Sequence, residues 1–329
     1  MDYCISEVFP SSAINDAVLV PSFYDDRDAL ALAKGNHLVI YTVEDEFVVE
    51  PKSFEIYGVI EKLIPLKSNL LVILTDLRAC ILKADDNDPN NLITVRNGTF
   101  QNAWESSRVP IKYAIHPTCL ILQLENFQLD LYPITSDCPF CDPFKIKIGR
   151  KGIIGFQFIG PVSKVTRLAV LTEEYNNKPP VIHLFEIDPI NRSYSEDPSF
   201  DVKLNDAYFM IPYDVEEHSI AIVFSTQQAT RVMYNELNPY AKTATIYTLD
   251  RLIKMIALTP EFHLAIDQAN KLHAVNIKEA GQVRFVNIGN VPHPSEFVKI
   301  TSNLAFVASN KDDSVLLAIN QENNTYNAS

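Results

Sequence analysis

The sequence predicts an all-β protein, a single β-propeller of seven four-stranded antiparallel blades. Three observations carry this. Apolar-rich runs of four to eight residues recur from one end of the chain to the other, helical periodicity is almost absent, and clusters of Asp, Asn, Pro and Ser with turn chemistry separate the runs. Somewhat more than two dozen such runs exceed what one sandwich uses and suit six or seven blades. Divided by seven, the 329 residues give roughly 47 per blade, close to a usual blade spacing. The repeat is geometric, since no WD-type dipeptide or Gly-His signature recurs, and a large jelly roll or a pair of β-sandwiches is the rival architecture for the same pattern.

Taken in order, the clearest strands are residues 37–43, 70–75, 79–83, 119–124, 127–132, 168–172, 181–187, 220–225, 262–267 and 304–309. Short connections join several of them into hairpins: Asp76-Leu77-Arg78 between 70–75 and 79–83, and Gln268-Ala269-Asn270-Lys271 between 262–267 and 272–277. Leu71, Ile73, Ala79 and Ile81 share one parity with other apolar strand positions, so the first hairpin is expected in the core and not on a contact surface. A propeller gains from a last blade that draws on both ends of the chain and leaves no open edge. Residues 17–20, apolar and bounded by Asp16 and Pro21, and residues 314–319 are expected in one blade or in touching blades. The propeller is assigned to residues 1–320 and a polar, disordered tail to 321–329.

The apolar content of 47% supports a substantial core. No run approaches the roughly 20 apolar residues of a spanning helix, and MDYCISEVF lacks the basic start and apolar stretch of a signal peptide, so a soluble intracellular protein is expected. Five cysteines, an odd number, suit reduced thiols. The net charge of −13 repels a phosphate backbone. The one dense basic patch is Lys145, Lys147, Arg150 and Lys151. Phe144, Ile146 and Ile148 alternate with its first two lysines, which reads as a half-buried strand with charges on its wet face, not as a nucleic-acid contact.

Motifs for chemistry are sparse. None of the nine glycines falls in G-x-G-x-x-G or G-x-x-x-x-G-K, and G-x-S-x-G and H-E-x-x-H do not occur. Cys138-Pro139-Phe140-Cys141 has the C-x-x-C spacing, but no second ligand pair follows at finger spacing, so loop cysteines without metal are expected. In Asp85-Asp86-Asn87-Asp88-Pro89-Asn90, residues Asp86, Asp88 and Asn90 suit calcium-loop positions one, three and five. Asn91 and Asn97 then stand where glycine and glutamate are needed, leaving a solvated turn. His263, His273 and Asp267 fall on one face of a hairpin and could approach a metal. With Phe262, Leu264 and Ile266 on the other parity, the simpler expectation puts the histidines on the wetter face of an amphipathic strand.

Phe54-Glu55-Ile56-Tyr57-Gly58-Val59-Ile60 and the LLVILTDLRACIL stretch at 70–82, with Tyr57-Gly58 and Ala79-Cys80-Ile81-Leu82 as the nearest points, resemble early blades of the damage-specific DNA-binding protein large-subunit family. NLAFVASNKDDSVLLAI at 303–319 resembles that family's closing strand pair, with Phe306-Val307, Ser309 and Asp313-Ser314 as its markers; Asp312 departs from the usual glycine. Residues 181–187, 208–212 and 220–234 sit where that propeller has comparable strands. The family includes the large subunits of the cleavage and polyadenylation factor and of splicing factor three b, whose members are about three times as long, with three propellers and a helical tail. Their middle propeller docks the cullin, so cullin docking is not carried over.

The resemblance implies a non-catalytic propeller of the nucleus, with the cytoplasm as a second location, that holds other proteins, such as adaptor or substrate-receptor peptides and further propellers, without membrane contact. It implies a place like that of the N-terminal propeller in a ubiquitin-ligase adaptor of DNA repair. The alternative is a nucleic-acid-binding component of an mRNA cleavage and polyadenylation or splicing complex. No catalytic, cofactor-binding or metal residue is assigned, no cofactor is expected, and the partner-binding residues are left open. An enzyme on this scaffold would be signalled by acidic residues converging on the central channel.

Overall fold

The computed structural model describes residues 2–9, 13–44, 47–88, 90–100, 108–134, 143–148, 152–159, 166–174, 178–197, 199–202, 204–213, 219–235, 238–246, 250–278 and 282–320. Among them every regular element is a strand, and the strands form seven antiparallel sheets, the blades of an all-β propeller. Strand β1 (Asp2–Phe9) belongs to the last sheet. The first sheet is β2 (Asp16–Tyr24), β3 (Arg27–Lys34), β4 (His37–Glu44) and β5 (Phe47–Glu55) in that order. The second is β6 (Ile60–Leu66), β7 (Asn69–Leu74), β8 (Arg78–Ala84) and β9 (Leu92–Thr99), and the third is β10 (Arg108–His116), β11 (Cys119–Glu125), β12 (Gln128–Pro133) and β13 (Phe144–Lys147).

The fourth sheet runs β14 (Ile153–Ile159), β15 (Thr166–Thr172), β16 (Val181–Asp188) and β17 (Ser193–Glu196), with the two-residue β18 (Phe200–Asp201) also paired to β16. The fifth is β19 (Phe209–Pro212), β20 (Ser219–Phe224), β21 (Gln228–Asn235) and β22 (Asn238–Ile246). The sixth is β23 (Leu252–Ala257), β24 (Phe262–Asp267), β25 (Lys271–Lys278) and β26 (Gln282–Asn290). The seventh combines β27 (Pro294–Lys299), β28 (Leu304–Ser309) and β29 (Ser314–Asn320) with β1, in the order β1-β29-β28-β27.

Two compact units divide the chain: Met1–Gln101 with Lys254–Ala274 and Asn287–Ser329, and Asn102–Ile253 with Val275–Val286. In the first unit, strand alternation sends successive side chains into two different cores. Ala29, Ala31 and Ala33 of β3 meet Leu70, Val72 and Leu74 of β7, while Leu30 and Leu32 pack with Phe306 and Leu316. Strand β28 divides likewise, Leu304, Phe306 and Ala308 on one side and Ala305 and Val307 on the other, the latter beside Leu264 and Ile266. In the second unit Ile121, Leu129 and Leu131 pack against Leu168, Val170 and Phe185, and Ala169 and Leu171 face Ala221 and Val223. A middle strand buried on both faces reads as a continuous apolar run, which is why these strands were the plainest in the sequence.

The 70–75/79–83 hairpin is core, as expected: Leu71 pairs with Ile81 and Ile73 with Ala79, all four buried. Residues 17–20 and 314–319 fall in β2 and β29, and their sheets touch, with Ala17 and Leu316 in one cluster. The bounds of 17–20 need correction. Asp16 is inside β2 and buried, and the strand passes through Pro21, which an edge strand tolerates; the pairing slips between Val20 and Tyr24. Residues 321–329, assigned to a tail, lie outside the described residues.

Candidate interaction surface

The link from β5 to β6 carries Tyr57, whose side chain is the most exposed large hydrophobic described, at 91%. Its backbone is locked. Ile56 N donates to Asn36 O at 2.7 Å, Gly58 N to Ile56 O at 2.8 Å, Ile60 N to Gly35 O at 2.8 Å and Thr75 N to Val59 O at 3.0 Å. The Gly58 bond closes a three-residue turn with Tyr57 at its centre. Gly58 has φ +144°, a conformation that favours glycine, and a Cβ there would lie 2.8 Å from Leu74 Cδ1 and push that side chain aside.

Arg78 completes the lock from the neighbouring hairpin. Its Nη2 donates to Tyr57 O at 3.2 Å and its Nε to Asp76 Oδ2 at 2.6 Å, while its own N–H reaches Asp76 Oδ1 at 3.2 Å. The Arg78 hydrogen bond holds the Asp76 carboxyl below its usual range. Beside this turn lies a hollow of about 470 Å³, lined by Ile56, Leu74 and Leu82, with Glu55 and Asn97 among its polar groups. Cys80 also lines it, its thiol pushed up by burial. Exposed Val59 stands two residues beyond Tyr57.

A second cluster lies in the first unit on the leading strands of four sheets. Asp16 of β2 accepts Leu63 N at 2.6 Å and Lys62 Nζ at 2.7 Å. Lys62 reaches Glu296 of β27 at 3.3 Å, and Glu296 takes Lys254 of β23 at 2.5 Å. Burial raises the Asp16 carboxyl to about 6 against the pull of Lys62. Burial also opposes ionisation of Glu296, but Lys254 and Lys62 outweigh it and hold that carboxyl at about 2. These carboxylates do converge, yet each is engaged by lysine, which makes the arrangement a cross-sheet tie. Single charged residues on otherwise apolar strands gave no sequence signal for it.

The residues singled out from the sequence fare differently. His263, Asp267 and His273 are not on a wet face: all three are buried, because β24 and β25 are the middle strands of their sheet. Asp267 Oδ2 bonds His273 Nε2 at 2.8 Å and Oδ1 accepts Ala269 N and Lys271 N, each at 2.9 Å, so the carboxylate shapes the β24–β25 turn. Burial, with the Lys299 charge beside it, pushes the His263 imidazole down to about 4. Among the described residues no group of three or more His, Cys, Asp or Glu is arranged to hold a metal.

Asp85 and Asp88 accept the backbone N–H of Asn87 and Asn90 at 2.9 and 3.0 Å, as exposed turns do. Ile146 is buried and Lys147 exposed, matching the half-buried strand, and Lys145 lies 3.7 Å from the buried Asp130. Arg150, Lys151, Cys138 and Cys141 lie outside the described residues. Asp312, the departure in the closing turn, bonds His293 Nδ1 at 2.5 Å, and its N–H reaches Ser309 Oγ at 2.9 Å.

Seven antiparallel blades make a propeller, and its family puts it in the scaffold and interaction class. The chain belongs to the RSE1/DDB1/CPSF1 first beta-propeller family, whose model matches residues 13–328. No curated protein matches it. The family is the one that residues 54–60, 70–82 and 303–319 resemble.

Proposed function

We propose that this chain is a non-catalytic, nuclear interaction module that holds protein partners, in the manner of the opening propeller of a ubiquitin-ligase adaptor in DNA repair. The observation that carries the reading is Tyr57, 91% exposed on a backbone held by hydrogen bonds from two hairpins. Exposed tyrosine on a pre-ordered backbone gives large contact area with little ordering cost, the chemistry of a binding hot spot. The net charge of −13 favours protein over nucleic acid as the bound class.

Affinity capture of the tagged chain from nuclear extract, read by mass spectrometry, tests the proposal. The expected result is a short set of proteins retained after nuclease treatment. Retention of RNA or single-stranded DNA alone, lost steeply with added salt, would overturn it in favour of a component of the mRNA cleavage or splicing machinery.

A further inference from the structure

Resting on the interaction-module reading, we infer that the hollow between Tyr57 and β9 takes an extended peptide of a partner protein, seated by an apolar side chain next to a lysine or arginine. Three different features of the molecule favour this occupant.

The first is shape and apolarity. Tyr57 stands exposed in the lining of a hollow that also includes Ile56, Leu74 and Leu82, and Val59, two residues on, is exposed as well. Solvated aromatic and aliphatic surface beside a concave apolar lining is what an apolar anchor side chain covers.

The second is the backbone. In the sheet order β6-β7-β8-β9, β9 is an edge, and among the described residues no strand pairs with its outer side. The pairing slips between Ile81 and Leu82, which leaves Arg96–Thr99 as the straight run, opposite Ile81, Cys80, Ala79 and Arg78. Asn97, Gly98 and Thr99 of this run line the hollow, so the open edge and the hollow share these residues. An extended segment is the occupant that satisfies such an edge.

The third is charge. Arg78 lines the hollow, but its guanidinium is held by Asp76 and the Tyr57 carbonyl. Arg96 pairs opposite Ile81, whose side chain belongs with Leu71 and Ile73 on the other face of the sheet, so it does not line the hollow. Glu55, exposed and touched at 3.4 Å by Asn36, is the remaining charge there. A lysine or arginine on the occupant complements it, in line with the chain's excess of 41 acidic over 28 basic residues.

The test uses the full chain and two synthetic eight-residue probes, one alternating valine with lysine and one alternating valine with glutamate. Fluorescence anisotropy should show the lysine peptide bound at least ten-fold more tightly. Hydrogen exchange with that peptide should slow at the amides of Arg96–Thr99. Tyr57→Ala should weaken binding about ten-fold with the unfolding midpoint unchanged, and Glu55→Lys should reverse the preference between the probes. Equal binding of both probes, protection elsewhere, or full binding by a folded Tyr57→Ala variant would overturn the assignment. Sedimentation showing a dimer that Tyr57→Ala dissolves would also overturn it, because a second copy would then be the occupant. If the peptides fail while the wild-type chain still retains proteins from nuclear extract, the hollow is wrong and the interaction-module reading stands.

Discussion

His263 keeps 4% of its surface exposed on β24, and burial beside Lys299 pushes its imidazole from 6.5 to about 4. The folded chain therefore carries a neutral ring through a range in which the unfolded chain takes up a proton. Between those values the unfolded state binds more protons, so stability rises with pH. The contribution is complete above about 6.5 and is lost as pH falls through 4, amounting to roughly 3 kcal/mol. Asp16 acts with the opposite sign: its carboxyl, raised from 3.8 to about 6, favours the folded state at low pH and costs stability as pH rises between those values. The difference between wild type and His263→Gln isolates the histidine from this background. Between pH 4.5 and 7, urea unfolding should show the variant gaining less stability than wild type, or losing stability where wild type does not; an identical change in both would mean the ring is not held neutral.

Ile73 of β7 belongs to a strand buried on both faces, its own side chain fully covered and paired opposite Ala79. Ile73→Ala should cost about 2 to 5 kcal/mol through the cavity it leaves. Urea unfolding that shows full stability, with partner binding alone lost, would put the hairpin on the surface instead. The same burial explains which elements the sequence disclosed. Strands β7, β11, β15 and β28 carry apolar runs of four or five residues because both faces are covered, and β24 is apolar between His263 and Asp267. Edge strands gave little signal: β9 is mostly exposed and β17 entirely so, which leaves their residues free to be polar. Double burial also defeats the parity rule: alternation separates the two faces of a strand, but on β24 and β25 neither face is solvated, so His263 and His273 are covered. The candidate surface was legible in part. Tyr57-Gly58 stood out in the resemblance, but its role needs Arg78, Leu74 and the β9 edge, which only the fold brings together.

The closing sheet is where a local pairing acts on the whole molecule. Strand β1 pairs with β29 in register, Tyr3 opposite Ile319, Cys4 opposite Ala318 and Ile5 opposite Leu317, with an irregularity between Ile5 and Glu7. Strand β29 itself feeds two cores, Leu316 into one and Leu317 and Ile319 into the other. Deleting residues 2–9 would strip the hydrogen bonds from one side of β29 and leave Val315-Leu316-Leu317-Ala318-Ile319 as an open apolar edge. Such an edge either frays, loosening both cores, or recruits a strand from another copy. The net charge of −13 opposes non-specific association, so any self-association of the deleted chain points to the uncovered edge. The expected outcome is a lower urea midpoint together with concentration-dependent sedimentation. A charged residue at a partly buried position of the new edge, Ala318→Lys, should suppress the association without restoring the midpoint. A monomeric chain that unfolds cooperatively at the wild-type midpoint after the deletion would show that β1 contributes nothing to holding the closing sheet.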